Sequence, residues 1–233
     1  MTKKRIGIVV AIELDAVLAR YGDVCKITRS HGHTVREYEN DDRVIFVTDS
    51  GAGEISASSA VQFLVSECGV DMIVNFGVVG GLTEEMRTAS LCVVEKVIHY
   101  DYDTTGWLDL GRGRYPDHDS AYVGTSSLLL EKALAIRPDL KKVCCASADK
   151  FVNDESAKSE LHEKYGADIC EMEAAGIVLT CEKCGVPCLL IKSVSDSLTG
   201  GGKEFMSELG RVSALCFDVV DGIIDRMVSE DKI

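Results

Sequence analysis

Two short acidic segments in the second half of the chain carry residue types suited to chemistry on a glycosidic bond. The first, EMEAAG, contains Glu173 and opens a predicted helix. The second, SVSD, ends at Asp196, just past a predicted buried strand that starts at Pro187. Ligands of open α/β sheets collect at strand ends, so we expect the two carboxylates to meet there. One carboxylate could bind the hydroxyls of a sugar, and the other could protonate a base.

The residues alone also allow a purely structural explanation of these two acids. An acid at a helix N-terminus is stabilised by the helix dipole, and an aspartate favourably caps the helix that follows it. Two glycine-containing turns, predicted at Ser50–Glu54 and Gly77–Gly81, add to the functional interpretation. Their glycines would let the backbone approach a ligand. Neither turn matches a dinucleotide fingerprint or a P-loop.

Apolar and helical periodicities alternate along the chain. Strands are predicted at Arg5–Ile12, Arg43–Thr48, Met72–Phe76, Leu91–Val97, Val143–Ser147 and Pro187–Val194, with shorter edge strands or a hairpin at Cys25–Thr28 and Thr34–Tyr38. Helices are predicted at Leu14–Tyr21, Ile55–Cys68, Ser126–Ile136, Glu155–Tyr165, Glu173–Cys184 and Glu204–Val228. This alternation predicts an α/β fold, a three-layer αβα sandwich with a mixed central sheet, as a single domain over residues 1–233.

The composition restricts the classes of function. The 233 residues carry a net charge of −13, so a nucleic-acid partner is not expected. No segment reaches the roughly 20 apolar residues of a membrane helix, and the N-terminus lacks a signal-peptide pattern. Ten cysteines are expected to be reduced thiols in a cytoplasmic protein. Cys181 and Cys184 form a C-x-x-C within a helical pattern, and we interpret them as core residues because zinc-ligand spacing is absent elsewhere.

Asp101–Tyr122 interrupts the alternation and holds the only tryptophan. Long loops without secondary structure in compact domains are often functional. We expect a lid or a subunit contact. A metal site built from the histidines and aspartates of this region is the weaker alternative, because these potential ligands are scattered.

Seven motifs in order along the chain resemble the nucleoside phosphorylase superfamily, and within it the 5′-methylthioadenosine/S-adenosylhomocysteine nucleosidases. They are IGIVVAIELD, SGAGEISAS, NFGVVGGL, YDYD, SADKFVND, EMEAAG and SVSD. The resemblance implies a three-layer αβα fold, a homodimer, a role in methionine salvage and a small-molecule purine nucleoside as substrate. It implies neither a metal nor another cofactor.

The resemblance also implies roles for residues of the base and sugar sites. Asp196 resembles the general acid that protonates purine N7. Phe151 corresponds to the ring stacked on the base, and the backbone of Val152 to the group that binds the base edge. Glu173 corresponds to the ligand of the ribose hydroxyls, with Met172 packed against the sugar.

Further positions are implied for the 5′ pocket of the nucleoside. Ile12 and Ala52 fall where the family lines this pocket. Either Phe205 or Met206 would close this pocket. The glycines at 200–202 do not allow the alignment to decide between these two residues.

Three positions depart from the nucleosidase motifs on the side where water attacks. Asp15, Val78 and Lys192 stand where the family has Glu, Ser and Arg. Aspartate is one methylene shorter than glutamate, valine cannot bind the water, and lysine offers a point charge instead of a planar fork. We rank Asp15 as the base that orients the water, and Glu13 below it. These departures predict slow hydrolysis, or a different nucleophile or nucleoside.

Three functions are therefore compared. The first is a purine nucleosidase acting on 5′-modified adenosines. The second is a phosphate-dependent phosphorylase, which ranks lower because Arg20 and Lys192 are weak substitutes for the cationic phosphate site of such enzymes. The third is a nucleoside-binding protein with weak or no catalysis.

Overall fold

The computed structural model describes residues 3–230 and folds them into strands and helices in close alternation. The strands are β1 (Lys4–Val10), β2 (Lys26–Ser30), β3 (His33–Glu39), β4 (Arg43–Asp49), β5 (Met72–Gly81), β6 (Leu91–His99), β7 (Tyr122–Gly124), β8 (Lys141–Ser147), β9 (Ile169–Glu171) and β10 (Cys188–Asp196). The helices are α1 (Leu14–Tyr21), α2 (Glu54–Cys68), α3 (Ser127–Ile136), α4 (Glu155–Tyr165), α5 (Ala174–Cys184) and α6 (Gly202–Glu230).

The central sheet is mixed, as the sequence predicts. Its order is β10-β6-β8-β9-β5-β1-β4-β3-β2, and β7 pairs with β6. Strand β1 lies between β4 and β5 and is parallel to both. Strand β10 is parallel to β5 and antiparallel to β6. Because β10 pairs with β5 as well as β6, the strands β5, β10, β6, β8 and β9 form a closed ring at one side of the sheet.

Helices cover both faces of the sheet because successive strand side chains point to opposite faces. Val9 and Leu190 pack in one apolar cluster with residues of α2 and α5. Their neighbours Ile8 and Leu189 pack in the opposite cluster with residues of α3 and α6. The predicted three-layer arrangement is confirmed, and each predicted helix lies within two residues of the observed one.

The segment Gly77–Gly81 is not a turn, which corrects the sequence prediction. Strand β5 continues through it, and Gly80 and Gly81 pair with β9. Glycine is needed here because there is no room for a side chain. A Cβ atom on Gly81 would lie 2.2 Å from the carbonyl oxygen of Met86. The short strands β7 and β9, three residues each, were not predicted.

The irregular region Asp101–Tyr122 folds back on the body of the protein. Tyr102 and Tyr115 stack with ring centroids 4.0 Å apart, and His118 Nε2 lies 3.0 Å from Glu182 Oε2 on α5. Within residues 3–230, no group of three His, Cys, Asp or Glu side chains is arranged to hold a metal ion.

The cysteines are all free. Cys181 is buried in the core and Cys184 is partly exposed. Over the described range 3–230, no helix combines the length and the apolar character needed to cross a bilayer.

We predict that Gly81→Ala destabilises the protein by about 1–3 kcal/mol, because the new methyl group meets backbone that cannot move aside. Gly222→Ala is the matched control, since Gly222 is exposed on α6 and a Cβ there meets nothing within 4 Å. It should stabilise by about 0.5–1 kcal/mol. Urea unfolding of the two variants measures both effects, and equal stability of the two would contradict the assignment.

Candidate active site

An open cavity of about 180 Å³ lies at the carboxyl edge of the sheet. Concave clefts of this kind are where proteins bind small molecules. Its wall is built by segments that follow β1, β4 and β8, by the ends of β5, β9 and β10, and by the first turn of α6. The lining residues are Ala11, Ile12, Glu13, Ala52, Val78, Val79, Gly80, Phe151, Cys170, Glu171, Met172, Glu173, Ser195, Asp196 and Phe205.

Most of the residues singled out in the sequence meet in this cavity. Seven of them line it: Ile12, Ala52, Val78, Phe151, Met172, Glu173 and Asp196. Three do not: Asp15, Val152 and Lys192. Of the two candidates for closing the 5′ pocket, Phe205 lines the cavity, whereas Met206 is 70% exposed and lies outside its lining.

Asp196 is the last residue of β10 and is 1% exposed. Burial raises the pKa of this carboxyl, while Lys158 and the hydroxyl of Ser195 lower it, and the net effect is an increase. Lys158 Nζ lies 2.6 Å from Asp196 Oδ2, and Ser195 Oγ lies 2.9 Å from Asp196 Oδ1. A carboxyl with a raised pKa that faces a cavity is suited to donating a proton.

Glu173 precedes α5 at the N-cap position, and its side chain does not cap the helix. One carboxylate oxygen accepts a hydrogen bond from the Gly53 N–H at 2.9 Å. Burial, reinforced by the charge of Glu171, raises the pKa of Glu173 to about 7, although Lys192 and the Gly53 N–H act in the opposite direction. Glu173 is thus a buried acid that faces the cavity with spare hydrogen-bonding capacity.

Glu171 caps α5 in place of Glu173. Its carboxylate accepts hydrogen bonds from the Glu173 N–H at 3.1 Å and the Ala174 N–H at 2.9 Å. Lys192 Nζ lies 3.2 Å from Glu171 Oε2. Burial lowers the pKa of Lys192, but the charges of Glu171 and Glu173 outweigh it and leave the pKa raised. Lys192 therefore lies outside the cavity lining and pairs with one of the acids of its wall, Glu171.

The two acids at the start of α1 exchange the places expected from the sequence. Glu13 is 5% exposed and lines the cavity, whereas Asp15 is exposed and lies outside it. The Glu13 carboxylate folds back over the turn and accepts the N–H groups of Ile12 and Val78, each at 2.9 Å. The side chain at the N-cap turns inward and the one two residues later turns to solvent, so the structure brings Glu13, and not Asp15, to the cavity.

Val78 contributes its backbone N–H to this contact with Glu13. The valine side chain has no polar group, so the contact of residue 78 with Glu13 is made by the backbone N–H. Val152 is buried in an apolar cluster with Leu161 outside the cavity, so only its backbone stays a candidate for contacting a ligand. Phe151 is 45% exposed and meets Phe205 edge-on at a centroid distance of 5.3 Å.

A second layer of buried polar groups lies behind Glu171. Ser147 Oγ is 2.5 Å from Glu54 Oε1 and 2.6 Å from Glu171 Oε1, and it accepts the Ala175 N–H at 3.1 Å. A hydroxyl has one proton and can donate to only one of these carboxyl groups. Burial, together with the charge of Glu171, raises the pKa of Glu54 to about 8. Glu54 therefore holds a proton at neutral pH and donates it to the hydroxyl.

Lys158, Glu54 and Ser147 were missed in the sequence. Glu171 stood inside the EMEAAG motif, but only its neighbour Glu173 was given a role. The one signal for Lys158 is its spacing, since it shares with Leu161 the buried face of α4. Nothing in the sequence links Glu54 to Ser147, which are 93 residues apart.

The chain belongs to the phosphorylase superfamily, whose family model matches residues 5–225. Among its relatives are nucleosidases. The chain is 27% identical over 198 residues to the aminodeoxyfutalosine nucleosidase of Campylobacter jejuni, covering 83% of this chain and 84% of the relative. It is 28% identical over 180 residues to the 5′-methylthioadenosine/S-adenosylhomocysteine nucleosidase of Shewanella halifaxensis, covering 73% and 78%.

The fold is shared with solved structures. One is a complex of the Helicobacter pylori 5′-methylthioadenosine/S-adenosylhomocysteine nucleosidase, with a TM-score of 0.92 at 24% identity over 97% of this chain and all of that chain. Another is the futalosine hydrolase of Helicobacter pylori, with a TM-score of 0.90 at 24% identity over 96% and 98%. The family resemblance drawn from the motifs is confirmed.

The proton on Glu54 predicts a pH dependence of stability. Its folded-state pKa of about 8 lies above the ordinary 4.5, so its contribution is complete below 4.5 and is lost as the pH rises through 8. Glu54→Gln, which does not titrate and keeps both hydrogen-bonding partners, should flatten the decline of Tm between about pH 5 and 8. Glu131→Gln on the exposed side of α3 is the control. An unchanged decline in Glu54→Gln would contradict the protonated state.

Proposed function

We propose that this protein is a purine nucleosidase that hydrolyses the N-glycosidic bond of adenine nucleosides such as 5′-methylthioadenosine or S-adenosylhomocysteine. The observation that carries the proposal is the convergence of Phe151, Glu173 and Asp196 on one cavity. These three side chains provide an aromatic surface for a base, an acid for sugar hydroxyls and a proton donor. The nucleosidases among the relatives support the same reaction class.

The nucleoside binds with its base against Phe151. This ring is 45% exposed, and a stacked purine would cover it. The backbone of Val152, which directly follows this ring in the chain, binds the base edge. The ribose lies over Met172, and its hydroxyls bind Glu173.

The reaction begins at the base. As the bond between C1′ and N9 breaks, its electron pair passes to the base, and the protonated Asp196 gives its proton to N7. The base then leaves neutral and Asp196 remains as a carboxylate. General acid help of this kind contributes roughly 10²–10⁴-fold. In its ionised form, Glu173 stabilises the cationic sugar that forms.

Water completes the reaction from the other face of the sugar. Glu13 accepts a proton from the water as the water oxygen bonds to C1′. Its carboxylate is held by the backbone of Ile12 and Val78, so its direction is fixed before the substrate binds. Two carboxyl groups on opposite faces are also used in inverting glycoside hydrolysis.

Phosphate is a poor substitute for this water. Four acids and no lysine or arginine are among the described residues that line the cavity. The two cations weighed from the sequence are engaged elsewhere, because Lys192 pairs with Glu171 and Arg20 pairs with Asp221 at 2.8 Å. A phosphate ion would meet like charge without a compensating cation.

The first test measures base release from 5′-methylthioadenosine, S-adenosylhomocysteine, aminodeoxyfutalosine, adenosine and inosine, each with and without phosphate. We expect phosphate-independent release of adenine, and a loss on the order of 10²–10⁴-fold in Asp196→Asn. Cleavage only in the presence of phosphate would show a phosphorylase. Tight binding without turnover would show a nucleoside-binding protein.

The second test decides which acid handles the water. Glu13→Gln should lower kcat on the order of 10²-fold, because the amide cannot accept the proton. Asp15→Asn is the matched control two residues away and should stay near the wild-type rate, since Asp15 is exposed and outside the cavity. The opposite ranking of the two variants would restore the interpretation made from the sequence.

A further inference from the structure

Lys158 is a buried cation that the proposed reaction does not use. It lies on α4, is 0% exposed and contacts Asp196, which is itself 1% exposed. Removing an ammonium group from water is unfavourable unless its partners compensate. Lys158 also stands on the buried face of α4, where an apolar residue would pack at lower cost. Its contacts therefore need an explanation beyond the stability of the fold.

The hydrogen bonds of Lys158 fix its charge state. Nζ lies 2.6 Å from Asp196 Oδ2, 2.6 Å from the Ser197 carbonyl and 3.0 Å from the Gly200 carbonyl. An ammonium group has three N–H donors, and here each meets one close acceptor. A neutral amine would have only two. The three close acceptors thus match the three donors of an ammonium group at Lys158.

The two oxygens of Asp196 are consequently not equivalent. Oδ2 accepts from a permanent donor, so a proton carried by Asp196 must be on Oδ1. Ser195 Oγ lies 2.9 Å from that oxygen and 3.2 Å from the Val79 carbonyl. When Asp196 is ionised, the hydroxyl donates to Oδ1. When Asp196 is protonated, Oδ1 donates to the hydroxyl, which turns to the Val79 carbonyl.

We propose that Lys158 is the positioning residue of the general acid: it holds Oδ2 of Asp196 so that the transferable proton is confined to Oδ1, and its charge keeps the acid strong enough to give that proton up. This inference rests on the proposed role of Asp196. Proton transfer breaks the Oδ1–H bond and forms the N7–H bond, while Lys158 keeps its three protons and stabilises the carboxylate that remains.

Other charged and titratable groups near Asp196 oppose Lys158. Glu204 on α6 raises the pKa of Asp196 through its negative charge, and the Cys170 thiol on β9 lies nearby. Lys158 is the one cation that acts on Asp196 among the groups of residues 3–230 with a marked effect. Burial and Glu204 raise the pKa, Lys158 lowers it, and without Lys158 the carboxyl would hold its proton to higher pH as a weaker acid.

Lys158 also ties the acid to the cavity wall. Its bonds to the Ser197 and Gly200 carbonyls fix the turn that leads into α6. The same turn is held from the other side, since Glu204 Oε2 accepts the Ser197 N–H at 3.0 Å. Phe205 follows directly and lines the cavity.

The test is the pH profile of kcat/KM for Lys158→Met, measured on adenine release by the full chain. The active form has Asp196 protonated, so activity declines on the alkaline side. In Lys158→Met this decline should move to higher pH by about 1–3 units. The kcat at the optimum should fall on the order of tenfold or more, with a smaller change in KM. Lys158→Arg, which keeps the charge, should retain the wild-type position of the decline.

Lys164→Met is the matched control, because it makes the same change at an exposed position of the same helix. A uniform loss of activity in folded Lys158→Met without a shift of the alkaline decline would overturn the proposal. If Lys158→Met does not fold, Lys158→Gln, which keeps N–H donors without the charge, is judged by the same criterion. Full activity in Asp196→Asn would instead refute the role of Asp196 as the general acid. The failure of the Lys158 proposal can therefore be distinguished from the failure of the proposed function.

Discussion

The burial of carboxyl groups at the carboxyl edge of the sheet is the constraint on which the site depends. A buried carboxylate is stable only if hydrogen bonds, a cation or a proton compensate for lost hydration. Each solution occurs here. Backbone N–H groups hold Glu13, a helix N-terminus and a lysine hold Glu171, a lysine holds Asp196, and Glu54 keeps its proton. Such different environments let neighbouring acids differ in protonation at one pH, which the proposed roles of proton donor, proton acceptor and sugar ligand require.

The closed ring of strands brings these acids together. Asp196 at the end of β10 pairs with Gly80 of β5, and Gly80 also pairs with Cys170 of β9. Glu173 follows Cys170 by three residues. Asp196 and Glu173, the acids proposed for the base and for the sugar, therefore reach one cavity from the two strands that pair with Gly80 of β5. Glycine at position 80 keeps this crossing open, since a Cβ there would lie 3.0 Å from the Cys170 sulfur.

The sequence predicted the elements well, and seven of its ten candidate site residues line one cavity. Long periodic segments have strong local signals, and α1 and α4 were predicted to the residue. The two explanations of EMEAAG both apply, each to a different glutamate: Glu171 caps the helix and Glu173 faces the cavity. The orientation of the Glu13 side chain was not predictable, because it depends on a hydrogen bond from the backbone N–H of Val78, which is 65 residues away in the chain. Lys158 was missed because its role depends on the ion pair with Asp196, which lies 38 residues away in the chain and has no local sequence signal.

The ring at one side of the sheet also affects how the protein meets other chains. Its strands have neighbours on both sides, so the open backbone groups of the long sheet path lie on β2 at the opposite end. That strand is exposed along nearly its whole length and carries Lys26 and Arg29. Solvated charges on an edge strand disfavour the addition of a foreign strand. Charged side chains thus lie along this open edge of the sheet, where Lys26 pairs with Glu37 of β3 at 2.7 Å.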